Sequence, residues 1–407
     1  MFVEIRSLGS SGEGVGRHDG MPVFVEGALP GELVEVEVTE RKRTYLKAKL
    51  QRIERASPER VEPPCPYYGR CGGCQLMHLS YAGQLKAKRQ RVVDALERIG
   101  GFVGVDVEEC IGADDPWHYR HKIQMPQGLG LYARGSHELI EVDHCLIHCE
   151  AGERLLQQLR GLLEPFRKTL RHLIVRTATT GEQLVILVLS EKPTAALRKA
   201  VGHLNVVANI NKRQDNRILT DQWEVLAGNG WLTERLAELE FRVSAGSFFQ
   251  VFPAQAEKIV RLVEAWAGPG DGRTAVDGCC GVGLLALALA RAGWDVLGVE
   301  VGANAVDDAR WNAKVNGLTA RFECGLVEKM ALPPVDLMLL NPPRTGCAPE
   351  LLDKIQAERI LYISCDPATL ARDLRRLTRH RLECVQPVDL FSQTAHVETV
   401  ALLSRFA

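Results

Sequence analysis

The stretch TAVDGCCGVGLLALALARAGWDVLGVE, residues 274–300, decides the fold of this chain. A short apolar strand ends at Asp277, a turn with Gly281 and Gly283 follows, and an apolar helix leads to a second strand ending in Glu300. Glycines at such a turn let the backbone approach a ligand, and an acid ending the next strand can accept both hydroxyls of a ribose. The order of these features predicts a doubly wound α/β domain that binds a nucleotide-containing cofactor.

A second stretch, DLMLLNPPRTG (residues 336–346), narrows the choice of cofactor. It predicts a strand ending at Asn341, followed by a rigid turn at Pro342 and Pro343. We expect this polar turn at the switch point of the sheet, where a substrate base or amine would lie. The combination favours a class I S-adenosylmethionine-dependent methyltransferase. A nicotinamide-dependent dehydrogenase is the alternative.

The whole chain, at 407 residues, is too long for one core and predicts three domains. Residues 1–55 alternate short strands with glycine-rich turns, which is typical of a small closed β-barrel of the oligonucleotide-binding type. Residues 56–245 mix strand and helix patterns and predict a central α+β domain. Residues 246–407 alternate helix and strand, as a doubly wound sheet requires.

Composition and charge limit the class of protein. Apolar residues make up 46% of the chain and charged residues 25%, and no apolar run is long enough to cross a bilayer. The N-terminal residues lack the pattern of a secretory signal, so we expect a cytoplasmic protein without a membrane partner. A net charge of -1 argues against a globally basic nucleic-acid binder but allows a local basic face.

One of the 12 cysteines lies where chemistry is expected. In YISCDPATLARDL (residues 362–374), Cys365 follows a short apolar strand, Asp366 is a good helix cap and Pro367 suits the first helical position. The dipole of the following helix favours a thiolate at this position. A purely structural role in packing is the alternative for this cysteine.

A thiolate would have a specific use in methyl transfer to a pyrimidine. Its addition to carbon 6 of uracil makes carbon 5 a nucleophile that can attack the methyl group of a sulfonium. A base must then remove the proton from carbon 5 before the cysteine can leave. The C-terminal stretch LFSQTAHVETVALLSRF (residues 390–406) offers His396 and Glu398 for this step.

Five motifs together resemble those of the RNA 5-methyluridine methyltransferase family. They are GSFFQVFPAQAEK (246–258), DGCCGVG (277–283), NPPRTG (341–346), SCDPATLARDL (364–374) and FSQTAHVETV (391–400). The resemblance implies methylation of a uridine in RNA, with Cys365 as the nucleophile and Glu398 as the base. The positions that it implies for contacts with S-adenosylmethionine are Gln250, Cys279, Leu284, Glu300 and Asn341.

Several positions depart from the family pattern. Asn341 replaces an aspartate, although its amide can still form hydrogen bonds without the charge. Phe252 stands in place of an asparagine, Cys279 where an aromatic residue is common, and Leu284 where a polar residue is common. Asp366 replaces an asparagine beside the nucleophile, and we expect its carboxylate to raise the pKa of that thiol. A non-catalytic RNA-binding factor with a degenerate donor pocket is the alternative that these departures suggest.

A cysteine run indicates a metal site. CPYYGRCGGC (residues 65–74) supplies Cys65, Cys71 and Cys74, and EVDHCLIHC (141–149) supplies Cys145 or Cys149 as a fourth thiolate. Spacing alone allows structural zinc, with histidines nearby at 78, 144 and 148. The resemblance favours a four-iron four-sulfur cluster, because ribosomal-RNA members of the family carry one on such a run plus a distant cysteine, matched here by Cys145.

The resemblance also identifies residues 1–55 as a TRAM domain, an RNA-binding barrel, with ERKRTYLKAK (40–49) as its RNA contact. WHYRHKIQ (117–124) resembles a YRNK stretch of the central domain, and part of 80–107 is expected to pack on the catalytic domain. The expected partner is a structured RNA, ribosomal in preference to transfer RNA, bound by a monomer. Methylation of cytidine carbon 5 is disfavoured, since those enzymes pair two cysteines and the turn here is Asn341-Pro342-Pro343-Arg344. An amino-group methyltransferase stays open.

Overall fold

The structure is a computed structural model that describes residues 1–128, 130–213 and 215–406. Its N-terminal strands are β1 (Phe2–Leu8), β2 (Gly14–His18), β3 (Met21–Glu26), β4 (Leu33–Arg41) and β5 (Leu46–Arg55). They close into a barrel in the order β1-β2-β3-β5-β4. Alternate residues such as Val23 and Val25 fill the barrel, while the residues between them face outward, as the two-residue period of a strand requires.

A loop that contains three cysteines leads from the barrel to α1 (Tyr81–Ala95), which a π-helical turn at Leu96–Gly100 extends. Ser80 caps α1, because its hydroxyl accepts a hydrogen bond from the Gly83 amide at 3.0 Å. Val92 and Leu96 are buried in an apolar cluster built mainly from the C-terminal part of the chain. The helix therefore packs on the C-terminal sheet, although it precedes the central sheet in sequence.

The central part contains a five-stranded sheet with two helices. Its elements are β6 (Lys122–Pro126), β7 (Gly130–Tyr132), β8 (Leu139–Glu141), α2 (Glu150–Leu163), β9 (Leu170–Thr177), β10 (Gln183–Leu189), α3 (Ala195–Val201), β11 (Val206–Ile210), β12 (Trp223–Ala227), β13 (Trp231–Leu236) and β14 (Leu239–Ser244). The sheet order is β12-β11-β10-β9-β6, and β7-β8 and β13-β14 form separate pairs. Ile123 and Met125 of β6 pack with leucines of α2, so one face of the sheet is covered by helices.

The C-terminal part is a seven-stranded sheet with helices. Its elements are α4 (Pro253–Ala267), β15 (Thr274–Gly278), α5 (Leu284–Arg291), β16 (Asp295–Glu300), α6 (Ala303–Val315), β17 (Arg321–Cys324), β18 (Val335–Leu340), α7 (Pro349–Lys354), β19 (Ala357–Ser364), α8 (Pro367–Leu374), β20 (His380–Val388) and β21 (Glu398–Arg405). The order is β17-β16-β15-β18-β19-β21-β20. β21 runs antiparallel to the other six strands of this sheet, which are parallel to one another.

This strand order places the functional region. The chain moves outward from β15 to β16 on one side and later to β18 on the other, so β15 and β18 flank a switch point where ligands bind in such sheets. The predicted fold class, an α/β methyltransferase domain with an N-terminal β-barrel and an α+β central part, is confirmed. Within the described ranges, no helix is both long and apolar enough to cross a membrane.

Candidate active site

A cavity of about 1010 Å³ opens at the carboxyl ends of β15, β16, β18 and β19. It also reaches β21 and the central sheet, so both the C-terminal part and the central part of the fold contribute to its walls. The cavity brings together all the side chains that the sequence predicted for catalysis and donor binding: Cys365, Glu398, Gln250, Cys279, Leu284, Glu300 and Asn341. One space therefore holds both a pocket for a methyl donor and a thiol.

The glycine turn after β15 is held tightly against β16. The amides of Cys279 and Cys280 both donate to the Val299 carbonyl, at 2.8 and 3.0 Å. Cys279 has a φ of 77°, which is strained for a residue with a side chain, and its thiol faces the cavity. Gly281 donates its amide hydrogen to the Glu300 carboxylate at 3.0 Å. These bonds orient Glu300 toward the turn, where a ribose would lie.

Asp277 is a functional candidate that the sequence analysis did not assign. It is the penultimate residue of β15 at 1% exposure, and neither carboxylate oxygen has a hydrogen bond of normal geometry among the described residues, although the Ala286 amide is close enough to lower its pKa. Burial raises its pKa to about 8, and the nearby Glu300 carboxylate contributes to the increase. An unpaired carboxylate in a cavity wall indicates a missing cationic partner, because burial of a lone charge is costly. The signal in the sequence was an acid immediately before a glycine turn.

Cys365 follows the last residue of β19 and lies beside the start of α8. Its thiol is half-buried, and desolvation raises its pKa, as does the carboxylate of Glu398. The guanidinium of Arg344 opposes this increase, both by its charge and by a hydrogen bond to the thiol. Burial thus outweighs the ease of ionisation expected from the helix dipole. Arg344 offsets part of that burial effect.

Asp366 acts differently from the expectation. Its carboxylate caps α8 by accepting a hydrogen bond from the Thr369 amide at 2.8 Å. The carboxylate that raises the pKa of Cys365 is instead Glu398. Asp366 is the neighbour of Cys365 along the chain, but the sheet brings Glu398, 33 positions away (398 minus 365), toward the thiol.

Glu398 begins β21 and is only 4% exposed. Complete desolvation raises its pKa to about 8, and the only opposing contribution comes from Arg344. Arg344 is therefore close to both Cys365 and Glu398. The sequence analysis quoted this arginine in the NPPRTG motif but gave it no role, because its proximity to two other segments depends on the order of strands in the sheet.

The loop that precedes Glu398 is fixed by hydrogen bonds from distant segments. Gln393, with a φ of 67°, accepts a bond at its side-chain oxygen from the Gln84 amide group at 2.9 Å, and its backbone amide donates to the Gln84 side-chain oxygen at 3.0 Å. Its carbonyl accepts from the amides of Gln75 and Leu76, at 3.0 and 2.9 Å. These two residues directly follow the cysteine run. The cysteine loop and the loop that carries the predicted base are thus in direct contact.

The departures from the family pattern differ in where they lie relative to the cavity. Phe252 is 5% exposed and stacks on Tyr119, with ring centroids 4.4 Å apart, so it packs below the cavity rather than lining it. Leu284 and Cys279 line the cavity with apolar surface. Asn341 follows β18 at the switch point and lines the cavity beside Pro342.

The four predicted cluster thiols are close enough to influence one another's ionisation. The pKa of the Cys74 thiol is raised by burial first, and then by Cys145, Cys71 and Cys65 in that order. Cys149 is not among the groups that act on Cys74, which favours Cys145 as the fourth thiol. In the described part of the chain, no three His, Cys, Asp or Glu side chains are arranged as a site for a single metal ion.

The histidines that would complete a zinc site bond elsewhere through one ring nitrogen. Nδ1 of His78 lies 2.5 Å from the Tyr68 hydroxyl, and Nδ1 of His148 lies 2.7 Å from the Glu153 carboxylate. His144 also reaches Glu153, at 3.2 Å. Through these nitrogens the three histidines therefore bond to Tyr68 and Glu153 rather than to the thiols.

The basic stretch of the barrel is partly neutralised. Lys42 and Lys47 both pair with Glu40, at 2.6 and 2.8 Å. Tyr45 packs edge-on against Phe24, with ring centroids 5.5 Å apart. The residues of the stretch that stay exposed without a side-chain ion pair among the described residues are Arg41, Arg43 and Lys49.

Family models match three parts of the chain. A TRAM domain model matches residues 1–50, a methyltransferase domain model matches 275–358, and a tRNA (Uracil-5-)-methyltransferase model matches 333–406. The last of these ranges includes Arg344, Cys365 and Glu398.

Relatives match the chain over almost its full length. An uncharacterized RNA methyltransferase of Listeria innocua is 38% identical over 98% of this chain and 96% of its own. Another, from Thermosynechococcus vestitus, is 39% identical over 99% of this chain and 97% of its own. The crystal structure of Pyrococcus abyssi tRNA (uracil-54, C5)-methyltransferase with S-adenosyl-L-homocysteine matches with a TM-score of 0.81 and 27% identity, covering 99% and 100% of the two chains. The chain belongs to the RNA uracil-5-methyltransferase family and is an S-adenosylmethionine-dependent enzyme that acts on RNA.

Proposed function

We propose that the enzyme methylates carbon 5 of a uridine through a covalent adduct between Cys365 and the base. The observation that carries this proposal is the common cavity, in which a thiol, a fully buried carboxyl group and a shared arginine lie next to the glycine turn. A methyltransferase that acts on an amino group needs no such thiol. The three side chains provide a nucleophile, a base and a cation that can stabilise either negative charge.

The proposed reaction begins when Cys365 and Glu398 have both released their protons to solvent, and Arg344 stabilises the resulting thiolate by its charge and hydrogen bond. Cys365 adds to carbon 6 of uracil, and the electron pair of the carbon 5–carbon 6 double bond moves into the enolate. Carbon 5 then attacks the methyl group on the sulfonium sulfur of the donor. The sulfur leaves as a thioether with the electron pair of the broken bond. Glu398 then takes the carbon 5 proton, the double bond re-forms, and Cys365 leaves as a thiolate.

The acidic wall of the cavity is suited to the donor. Glu300, oriented by the amides of Gly281 and Gly302, is proposed to accept the ribose hydroxyls. Asp277, whose two oxygens lack partners, is proposed to bind the donor's ammonium group, which would satisfy its buried charge. Gln250 and Asn341 offer amides for polar contacts, and Cys279 and Leu284 offer apolar surface.

Ribosomal RNA is our first candidate substrate, because the chain has the barrel and the cysteine run that the resemblance links to ribosomal-RNA members of the family. Transfer RNA is the second, and it is favoured by the full-length likeness to the Pyrococcus abyssi tRNA enzyme. That likeness covers 99% of this chain, including the barrel. The presence of a barrel and two further domains is therefore compatible with either RNA. We also propose that the enzyme acts as a monomer, which size-exclusion chromatography with light scattering would test.

The experiment that tests the function uses 5-fluorouridine-substituted transcripts of 23S ribosomal RNA and transfer RNA. Fluorine at carbon 5 cannot be removed as a proton, so the adduct should persist on a denaturing gel when S-adenosylmethionine is present. Formation with only one RNA identifies the substrate class. The Cys365→Ala variant should form no adduct. Methyl transfer that persists in this variant would instead support an amino-group methyltransferase.

We further propose that Cys65, Cys71, Cys74 and Cys145 hold a four-iron four-sulfur cluster. Their thiols influence one another's ionisation without the arrangement of a single-ion site, and a cluster is larger than one ion. Iron, zinc and sulfide analysis of anaerobically purified protein tests the proposal. Cys145→Ser should lose the iron, while Cys149→Ser, the matched control, should keep it. Zinc without iron in the wild-type protein would contradict the proposal.

A further inference from the structure

A lysine in the wall of the catalytic cavity has no role in the steps above. Lys122 is the first residue of β6 and, with Gln124, faces the cavity. Ile123 and Met125 alternate with them and point to the opposite face of the sheet, into the core below α2. The side chain of Lys122 is half-buried, so its charge lies inside the cavity rather than on the outer surface.

The charged groups that act on Lys122 are both cations, Arg176 and Arg120. No described residue gives its ammonium group a hydrogen bond or a carboxylate partner. Arg176 lies directly opposite on β9, and like charges in this position destabilise a sheet. The Arg176 guanidinium is held by the carbonyls of Ser244 and Ser247, at 3.2 and 2.6 Å. It therefore stays near Lys122 instead of moving away.

Arg120 adds a third positive charge. It lines the cavity two residues before Lys122, and its Nε donates to the Lys122 carbonyl at 2.9 Å. Its terminal nitrogens make no hydrogen bond to the described residues, so they are free to bind a ligand. The pKa of Lys122 is lowered to about 7, by burial first and then by Arg176 and Arg120. Unpaired buried cations are costly, and a bound anion would relieve that cost.

The two walls of the cavity differ in their ionisable groups. The wall formed by the methyltransferase sheet carries the carboxyl groups of Asp277, Glu300 and Glu398 beside Arg344, whereas the wall formed by β6 carries Arg120 and Lys122. The methyl donor has a sulfonium and an ammonium group, which suit the acidic wall. The RNA has a phosphate for each nucleotide, which suits the basic wall.

We propose that Arg120 and Lys122 form a subsite for a backbone phosphate of the RNA next to the target uridine. The proposal rests on the proposed function, since it requires a uridine turned into this cavity. A base must leave its stack to reach Cys365, and a phosphate held at the cavity wall would stabilise the turned-out nucleotide. The donor's carboxylate is the other anion that enters the cavity, so the test must separate the two.

The test measures equilibrium binding of unmodified 23S ribosomal RNA transcript, and of bulk transfer RNA in a second arm, at several KCl concentrations. The Lys122→Met variant keeps the side-chain length and removes the charge, and Lys122→Arg keeps the charge. Lys199→Met is the matched control, because Lys199 is an exposed lysine of α3, near β12 at the other end of the same sheet. Calorimetry with S-adenosylmethionine and thermal unfolding complete the set.

Loss of one phosphate contact should make the slope of log K against log salt shallower by about 0.7 to 0.9. This corresponds to RNA binding about five to eight times weaker at 0.1 M salt. We expect this change in Lys122→Met, with unchanged donor affinity and stability at least equal to wild type, because a like-charge pair is removed. Lys122→Arg and Lys199→Met should keep the wild-type slope.

An unchanged slope in Lys122→Met with both RNAs would overturn the proposal. So would a loss of donor affinity at constant RNA affinity, which would assign the subsite to the donor's carboxylate. A clear loss of stability would show a structural role instead. None of these measurements requires chemistry, so failure of the 5-fluorouridine adduct would refute the proposed reaction while leaving the phosphate subsite to be judged by the salt slope.

Discussion

Glu398→Gln should make the protein more stable and at the same time stop the proposed reaction. The carboxyl group titrates near 4.5 when exposed and at about 8 in the folded protein, where desolvation penalises its charge. Between these two values the unfolded chain binds fewer protons than the folded one, so stability falls as pH rises. Glu398 therefore destabilises the folded protein most at and above pH 8.

The size of the effect follows from about 1.4 kcal/mol per pH unit. Between pH 4.5 and neutral pH, Glu398 should reduce the free energy of unfolding by about 3 kcal/mol, and at pH 8 by about 4 kcal/mol. Glutamine has nearly the same shape and no charge. The variant should therefore resemble wild type near pH 5 and become increasingly more stable toward pH 8.

Thermal unfolding of both proteins from pH 5 to pH 8 measures this difference. Glu323→Gln, on the exposed edge strand β17, controls for the general effect of removing a negative charge. When the Glu398→Gln variant is incubated with RNA and S-adenosylmethionine, a covalent complex should accumulate, because the carbon 5 proton is not removed. A denaturing gel detects this complex. A stability difference that stays constant with pH would refute the buried, protonated carboxyl group. Normal turnover would refute its role as the base.

Three further predictions concern the neighbours of the thiol and the base. Arg344→Met should raise the pKa of Cys365 further and shift its alkylation rate to higher pH, whereas Arg344→Lys should restore part of the wild-type profile; identical profiles would exclude contact with the thiol. Asp366→Asn should leave the pH dependence of alkylation unchanged, because its carboxylate caps α8, and a shift would restore the expectation from sequence. Gln75→Ala removes the side-chain oxygen that accepts from the Ala395 amide at 3.4 Å, so it should lower kcat and reduce hydrogen-exchange protection at Ala395, with donor affinity unchanged; equal protection would show that the loop holds its position without this bond.

Much of the catalytic domain could be predicted because its signals are local. The turn after Asp277 and the acid at Glu300 belong to one strand–helix–strand unit, so their spacing alone indicates the geometry. The same holds for Cys365, where a strand end and the helix cap at Asp366 lie within a few residues. Such features depend on backbone geometry over short distances, and sequence patterns report that geometry directly.

The remaining parts of the site depend on contacts between distant segments. Arg344 becomes a neighbour of Cys365 and Glu398 only after the switch point forms, and no spacing in the sequence reports that distance. Lys122 belongs to the stretch that resembles YRNK, but its position opposite Arg176 depends on the pairing of β6 and β9. Asp366 shows the converse error, since proximity in sequence suggested an interaction that the helix cap prevents.

The bonds between α1 and the loop before Glu398 also affect how the enzyme is made. Gln84 and Gln393 are 309 residues apart, so their contact must wait until nearly the whole chain has left the ribosome. The barrel and central sheet are built from closer segments and can form earlier, since domains generally fold as units during synthesis. Closure of so long a loop carries an entropic cost and slows assembly. The growing chain would therefore hold its RNA-binding barrel and cysteine loop before it acquires its base, and an incomplete chain could bind RNA without modifying it.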